Sequence, residues 1–233
     1  MKAILLAAGV GSRISNEIGQ KPKSLLKIDG KSIIAHTIEL LQKNHIEIVI
    51  ITGFKHNLIE EEIKPYNVKT YYNPFYKVTN SIGSLWYARN ELDTNEVIIL
   101  NADVYFPQAL LEIIFNCKKE NFLLKDKTRR LEGDYFFKTE NGVLKEYGKE
   151  LDYSQRDSEY VGIACLRGEW IKKFRLKLCE MIESGQYDLW WENVLYSFAR
   201  SEDIFTQDVD GVFWSEVDTI EDYNRIIEYT EKN

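Results

Sequence analysis

The sequence predicts an α/β fold: three αβα layers around a mixed, mainly parallel central sheet, with a small β-rich insert. Three observations predict it. Strand and helix patterns alternate through the first half of the chain, ending near residue 117. The opening run KAILLA is apolar without in–out alternation, as in a parallel strand covered on both faces. Past residue 130 the pattern turns irregular around Glu140-Asn141-Gly142, a hairpin turn signal.

In order, residues 2–7 form the first strand and run into a glycine-containing loop. Residues 32–43 place apolar side chains at helical spacing. Residues 46–52 are a β-branched strand ending at Gly53, and 57–64 a short helix stopped by Pro65. Residues 68–72 read as a strand, 81–92 as a helix and 97–100 as a strand. Pro107 opens a helix over 107–117. Segments 133–137 and 142–147 flank the hairpin turn, and 150–158 is polar and loop-like. A strand at 160–167, helices at 169–183 and 189–198, strands at 203–209 and 212–217 and a helix at 219–229 complete the chain.

The chain has 233 residues, and with 44% apolar residues it can bury a substantial core as one domain over 1–233. A net charge of −7 disfavours a nucleic-acid partner, and the acidic excess lies in residues 151–233. No apolar run approaches the length of a membrane span. The apolar start meets glycines and Arg13 at once, so it is read as a buried strand of a cytoplasmic protein with no membrane association. Cys117, Cys165 and Cys179 are widely spaced, which indicates neither a disulfide framework nor a zinc ribbon. His36, His45 and His56 show no catalytic spacing.

The first candidate site is Leu6-Ala7-Ala8-Gly9-Val10-Gly11-Ser12-Arg13. At the carboxyl end of a parallel strand, small residues and glycines let main-chain N–H groups approach a phosphate closely. Arg13 adds a fixed guanidinium. The dinucleotide fingerprint fails because position 14 is Ile, and the P-loop fails because position 25 is Leu. A bare G-x-G also fits a structural turn. Lys21-Pro22-Lys23-Ser24-Leu25 follows within ten residues. Lys21 reads as a solvated charge.

The pairing of Leu-Ala-Ala-Gly-x-Gly-Ser-Arg with Pro-Lys-Ser-Leu resembles the sugar-nucleotidyltransferase family, which includes the bacterial phosphocholine cytidylyltransferases. The resemblance implies a Rossmann-like, GT-A-like fold. It implies that the 6–13 segment binds a nucleoside triphosphate and that Lys23 and Arg13 stabilise the charge that develops in transfer. Residues 1–118 would form the nucleotide-binding part and 119–233 the acceptor-binding part.

Asn101-Ala102-Asp103 follows the strand at 97–100, where a carboxylate reaches a crevice mouth or caps a turn. Glu216 and Asp218 fall on one face of a strand, and Asp218 could also cap the next helix. The resemblance implies that Asp103 and Asp218, with Glu216, hold Mg²⁺, and it puts Asn101 with the nucleotide. Thr79, Asn80 and Ser81 suit either helix capping or base recognition; the resemblance favours Asn80 and Ser84 for the base.

Tyr187-Asp188-Leu189-Trp190-Trp191-Glu192 sets adjacent tryptophans beside carboxylates, a composition suited to a cationic headgroup. Tyr187, Trp190, Trp191 and Glu192 are therefore acceptor candidates. Adjacent helical residues do not share a face, so one tryptophan is expected to pack in the core. With the Glu-Val-Asp-Thr-Ile-Glu-Asp-Tyr run at 216–223, the segment resembles the phosphocholine cytidylyltransferases. The expected reaction joins CTP to a small phosphorylated headgroup, phosphocholine first, with Mg²⁺ and release of pyrophosphate. The alternatives are another phosphorylated amine or amide (aminoethylphosphonate, phosphoglutamine) or a sugar 1-phosphate. A homodimer is compatible with the sequence.

Overall fold

A computed structural model describes residues 1–11, 19 and 21–233 of the chain. Strand β1 (Lys2–Ala7) leads to the glycine loop, and β2 (Lys27–Ile28) and β3 (Lys31–Ser32) form a small ladder before α1 (Ile33–Lys43). There follow β4 (Glu47–Thr52), α2 (His56–Ile63), β5 (Lys69–Tyr72), α3 (Ser81–Tyr87), β6 (Glu96–Asn101), β7 (Val104–Tyr105) and α4 (Gln108–Asn116). The second half contains β8 (Asn121–Asp126), β9 (Phe136–Glu140), β10 (Val143–Gly148), β11 (Ser158–Arg167), α5 (Glu169–Glu183), α6 (Asn193–Tyr196), β12 (Phe205–Asp208), β13 (Ser215–Glu216) and α7 (Ile220–Thr230).

Nine strands form one sheet in the order β5-β4-β1-β6-β11-β8-β12-β10-β9. Neighbours among β5, β4, β1 and β6 are parallel, while β11 is antiparallel to both β6 and β8. The fold is thus the mixed, three-layer α/β architecture expected. The β9–β10 hairpin continues the same sheet, with β9 also pairing to the start of β11.

The uninterrupted apolar pattern of β1 reflects cover on both faces. Ala3, Leu5 and Ala7 join a core with α1, α2 and α4; Ile4 and Leu6 join a second core with α3, α5 and α6. A third cluster unites Ile28, Ile33, Tyr105, Val217 and Ile226, which seats α7 against the two short ladders. Among the described residues no helix is long and apolar enough to cross a membrane.

Several boundaries differ from the sequence expectation. β8 has no counterpart in it, because Phe122-Leu123-Leu124 is a three-residue apolar run between polar residues. The strand expected over 212–217 is regular only at Ser215–Glu216. The helix expected over 81–92 becomes a 3-10 turn at Arg89–Leu92. The helix expected over 189–198 begins only at Asn193, so the two tryptophans precede it.

At the opposite edge, Glu91 accepts hydrogen bonds from Lys2 at 2.6 Å, Lys69 at 2.5 Å and the Tyr71 hydroxyl at 2.6 Å. Burial alone would push this carboxyl up; these bonds outweigh it and bring its pKa down to about 2. A depressed folded-state pKa stabilises above the unfolded value and loses that contribution as pH falls from about 4.5 towards 2. Glu91→Gln is expected to cost about 3 kcal/mol at neutral pH, because two ammonium groups lose their shared carboxylate. Urea denaturation across pH 2–7 checks this. A variant as stable as the parent at pH 7, with unchanged acid sensitivity, would refute it.

Candidate active site

The order β5-β4-β1-β6 places a topological switch between β1 and β6. Connections diverge from their carboxyl ends and leave a crevice there. Ala102 N–H bonds Leu6 O at 3.1 Å, and Phe54 N–H bonds Ala8 O at 3.1 Å, so the start of the glycine loop is pinned to both neighbouring strands. Gly11 has φ +65, and a Cβ there would stand 3.0 Å from Lys23 Cγ. Its lack of a side chain therefore serves both the left-handed turn and the packing of Lys23 beneath it. Ser12 and Arg13 lie outside the described residues.

A cavity of about 460 Å³ occupies the crevice. Leu6, Ala7, Ala8, Gly9, Val10, Gly11, Lys23, Asn80, Ser84, Asn101, Asp103, Glu216, Asp218, Trp190 and Glu192 all line it. Trp191 and Tyr187 do not. Trp191 is 0% exposed and belongs to the core with α5 and α6. Tyr187 is an exposed side chain, and its carbonyl receives the Asn80 N–H at 2.9 Å.

The acids are brought together by a short antiparallel ladder. Glu216 pairs with Val104 and Ser215 with Tyr105, and Val217 N–H bonds Asp103 O at 3.1 Å. A capping box between Thr219 and Asp222 starts α7, and Asp222 also accepts from Asp218 N–H at 3.1 Å. Thr219 is thus the cap, and the Asp218 carboxylate instead accepts a hydrogen bond from the Lys23 ammonium. Lys23 also lies 3.6 Å from Asp103.

Burial disfavours the charge on Lys23, but Asp103 and Asp218 more than compensate and hold it protonated. Burial, with Asp218 adding to it, raises Asp103 despite the Lys23 charge. Burial and then the neighbouring acids Asp103 and Asp218 push Glu216 well above the usual carboxylate range. Like-charged oxygens converge on one ammonium, which is the donor chemistry of a hard divalent cation. Among the described residues no three His, Cys, Asp or Glu side chains form a ready-made cage, so a bound cation would take its remaining ligands from phosphate and water.

At the start of α3, Asn80 caps the helix, its side chain accepting from Ser81 N–H at 2.7 Å. Asn73, which the sequence reading overlooked, donates to Ser84 Oγ and Thr79 Oγ1, each at 3.0 Å, and organises this corner. Elsewhere on the cavity wall, Trp190 meets Tyr135 edge-on at 5.6 Å, and Tyr135 stacks on Tyr196 at 5.9 Å. The Lys149 ammonium sits 5.2 Å from the Trp190 ring centre and pairs with Asp134 at 2.8 Å. Burial pushes the Glu192 carboxyl up to about 8. Tyr135, Tyr160, Tyr196, Lys149 and Asp134 line the cavity and were not singled out from sequence. Asp134 and Tyr135 are neighbours in the loop before β9, but Lys149, Tyr160 and Tyr196 come from other parts of the chain, and no local spacing links them to it.

Comparison with known proteins places these features in a family. Residues 3–131 match the MobA-like NTP transferase domain. The chain is 28% identical to a choline-phosphate cytidylyltransferase of Streptococcus pneumoniae (strain ATCC BAA-255 / R6), over 98% of this chain and 97% of that one. It is 27% identical to a CTP:phosphoglutamine cytidylyltransferase of Campylobacter jejuni, over 70% and 72%. The solved CTP:phosphocholine cytidylyltransferase from Streptococcus pneumoniae superposes with TM-score 0.78 at 22% identity, covering 98% of each chain. The inositol-1-phosphate CTP transferase from T. maritima does so with TM-score 0.81 at 21% identity, covering 99% and 95%. With its glycine loop, Lys23 and facing acids on one crevice, the chain belongs to the MobA-like NTP transferase family and is a nucleotidyltransferase.

Proposed function

We propose that the chain transfers a cytidylyl group from CTP to a small phosphorylated headgroup bearing positive charge, with phosphocholine the first candidate. The observation that carries this reading is the aromatic and acidic wall of Tyr135, Trp190, Tyr196 and Glu192, lining the same cavity as the glycine loop and Lys23. Aromatic faces and a carboxyl that ionises beside a cation suit a positively charged headgroup. Relatives described as choline-phosphate and phosphoglutamine cytidylyltransferases support the same class.

In this reading the main chain of residues 8–11 and Lys23 bind the triphosphate, and Asn80 and Ser84 meet the base. Asp103 and Asp218, with Glu216, would hold Mg²⁺, which supplies charge neutralisation at the phosphates. Lys23, paired with the acids in the free enzyme, turns its ammonium to phosphate oxygens. Lys149, which lines the cavity beside Trp190, would meet the acceptor phosphate. An acceptor phosphate oxygen attacks the α-phosphorus, the bond to the β-phosphate oxygen breaks, and pyrophosphate leaves. No protein nucleophile takes part; positioning and charge stabilisation do the work.

The test pairs CTP, UTP, GTP, ATP and dTTP with phosphocholine, phosphoethanolamine, aminoethylphosphonate, phosphoglutamine and glucose 1-phosphate, scoring pyrophosphate and product mass. Highest turnover on the sugar phosphate would overturn the acceptor assignment.

Glu192→Gln is expected to raise KM for phosphocholine about tenfold and leave KM for CTP within about twofold. A bound cation favours the ionised carboxyl, whose free pKa is about 8, so wild-type KM for phosphocholine should fall as pH rises through 8. The glutamine variant should lose that dependence. An identical pH profile in both proteins would contradict the role.

A further inference from the structure

Trp191 is fully buried, yet its indole belongs to a polar chain beneath the cleft. Its Nε1–H donates to Asn101 Oδ1 at 3.1 Å, and Asn101 Nδ2 donates to Glu216 Oε1 at 3.1 Å. Its main-chain N–H donates to Ser81 Oγ at 2.9 Å. Ile82 N–H bonds Leu189 O at 3.2 Å, which fastens the same segment to the start of α3. Trp191 therefore touches the base corner and the end of β6, and it sits in sequence between the two acceptor-wall residues Trp190 and Glu192.

The order of donors in this chain has a consequence. An asparagine carboxamide can present either its oxygen or its nitrogen to a neighbour, but an indole N–H only donates. Trp191 can therefore donate only to the oxygen of Asn101, which leaves the amide nitrogen aimed at Glu216. Each amide end thus has a partner within the protein, and the remaining N–H and oxygen lone pair stay available at the cavity that Asn101 lines. Glu216 is half-buried beside Asp103 and Asp218, and an oriented N–H donor holds its carboxyl where repulsion would otherwise turn it away.

We propose that Trp191 and Asn101 are positioning residues: the indole fixes the carboxamide, the carboxamide fixes Glu216, and the acceptor wall is thereby tied to the phosphate-side acids. The proposal rests on nucleotidyl transfer taking place in this cleft, and not on CTP or phosphocholine being the substrates.

Trp191→Phe keeps an aromatic ring and deletes the donor. It is expected to lower kcat and to weaken Mn²⁺ binding to the substrate-free enzyme, read by electron paramagnetic resonance, by about tenfold to a hundredfold. KM for the triphosphate should stay within about threefold. Asn101→Ala cuts the same chain at a partly exposed position and carries the test should Trp191→Phe fail to fold. The double variant should lose no more than Asn101→Ala alone, since both changes break one chain. Packing alone would instead give multiplicative losses with unchanged Mn²⁺ affinity, and that result overturns the proposal, as does wild-type kcat and Mn²⁺ binding in Trp191→Phe. If no triphosphate and acceptor pair releases pyrophosphate in the wild type, the substrate assignment fails by itself. The Mn²⁺ measurements on the same variants then decide the positioning proposal.

Discussion

Lys23→Ala is expected to lower kcat/KM by about 10²-fold or more, the scale of losing one preorganised electrostatic group. Proline at 22 sets the backbone of the short turn that carries Lys23, and the side chain runs beneath Gly11 to the two acids. The ammonium is thus delivered to one place with little rotamer freedom. A lysine on a mobile surface stem would contribute far less. A second signature separates this role from simple destabilisation. Without Lys23, Asp103 and Asp218 face each other with no cation between them, so the melting temperature of the variant should rise more steeply with added Mg²⁺ than that of the parent. Near wild-type turnover, measured as pyrophosphate release under subsaturating substrate, would remove Lys23 from the catalytic machinery.

Asp103→Asn is expected to reduce kcat by about 10²- to 10³-fold, because a divalent ion contributes several kcal/mol of charge stabilisation and needs its carboxylate anchor. Mn²⁺ affinity without substrate should fall in parallel. Stability should not. Burial, reinforced by Asp218, raises the Asp103 pKa, so its ionised form is disfavoured in the folded protein. Above its unfolded pKa the ionised carboxylate therefore opposes folding, and the neutral amide relieves that strain. The metal-free variant is expected to melt at or above the parent's temperature at pH 7. A clear loss of thermal stability with retained Mn²⁺ affinity would show a structural role instead.

The N-terminal half was legible because its signals are local. KAILLA and EIVIIT each show their cover by lacking alternation, and the glycine loop and the Pro-Lys-Ser-Leu turn lie within one stretch of chain. Strand β8 was not legible: its apolar run is short, and its place between β11 and β12 depends on residues far along the chain. The aromatic wall of the cavity shows the same limit. Trp190 and Glu192 stood out as neighbours in sequence, but Tyr135, Tyr160 and Tyr196 reach the same cavity from a loop, β11 and α6. Trp191 and Tyr187 shared the motif and not the cavity, since side-chain direction in that bend is set by packing against α3 and β6.

By itself the sequence determined the α/β class, the glycine loop and the types of charged group the chemistry requires, because short-range periodicity and turn chemistry encode them. The tertiary structure decided which of those groups meet. Asp103 and Asp218 are joined by a ladder of two residue pairs and a helix cap, and the tryptophans are divided between cavity wall and core. Such pairings are fixed by burial and hydrogen bonding between distant segments, and no local pattern of residues records them.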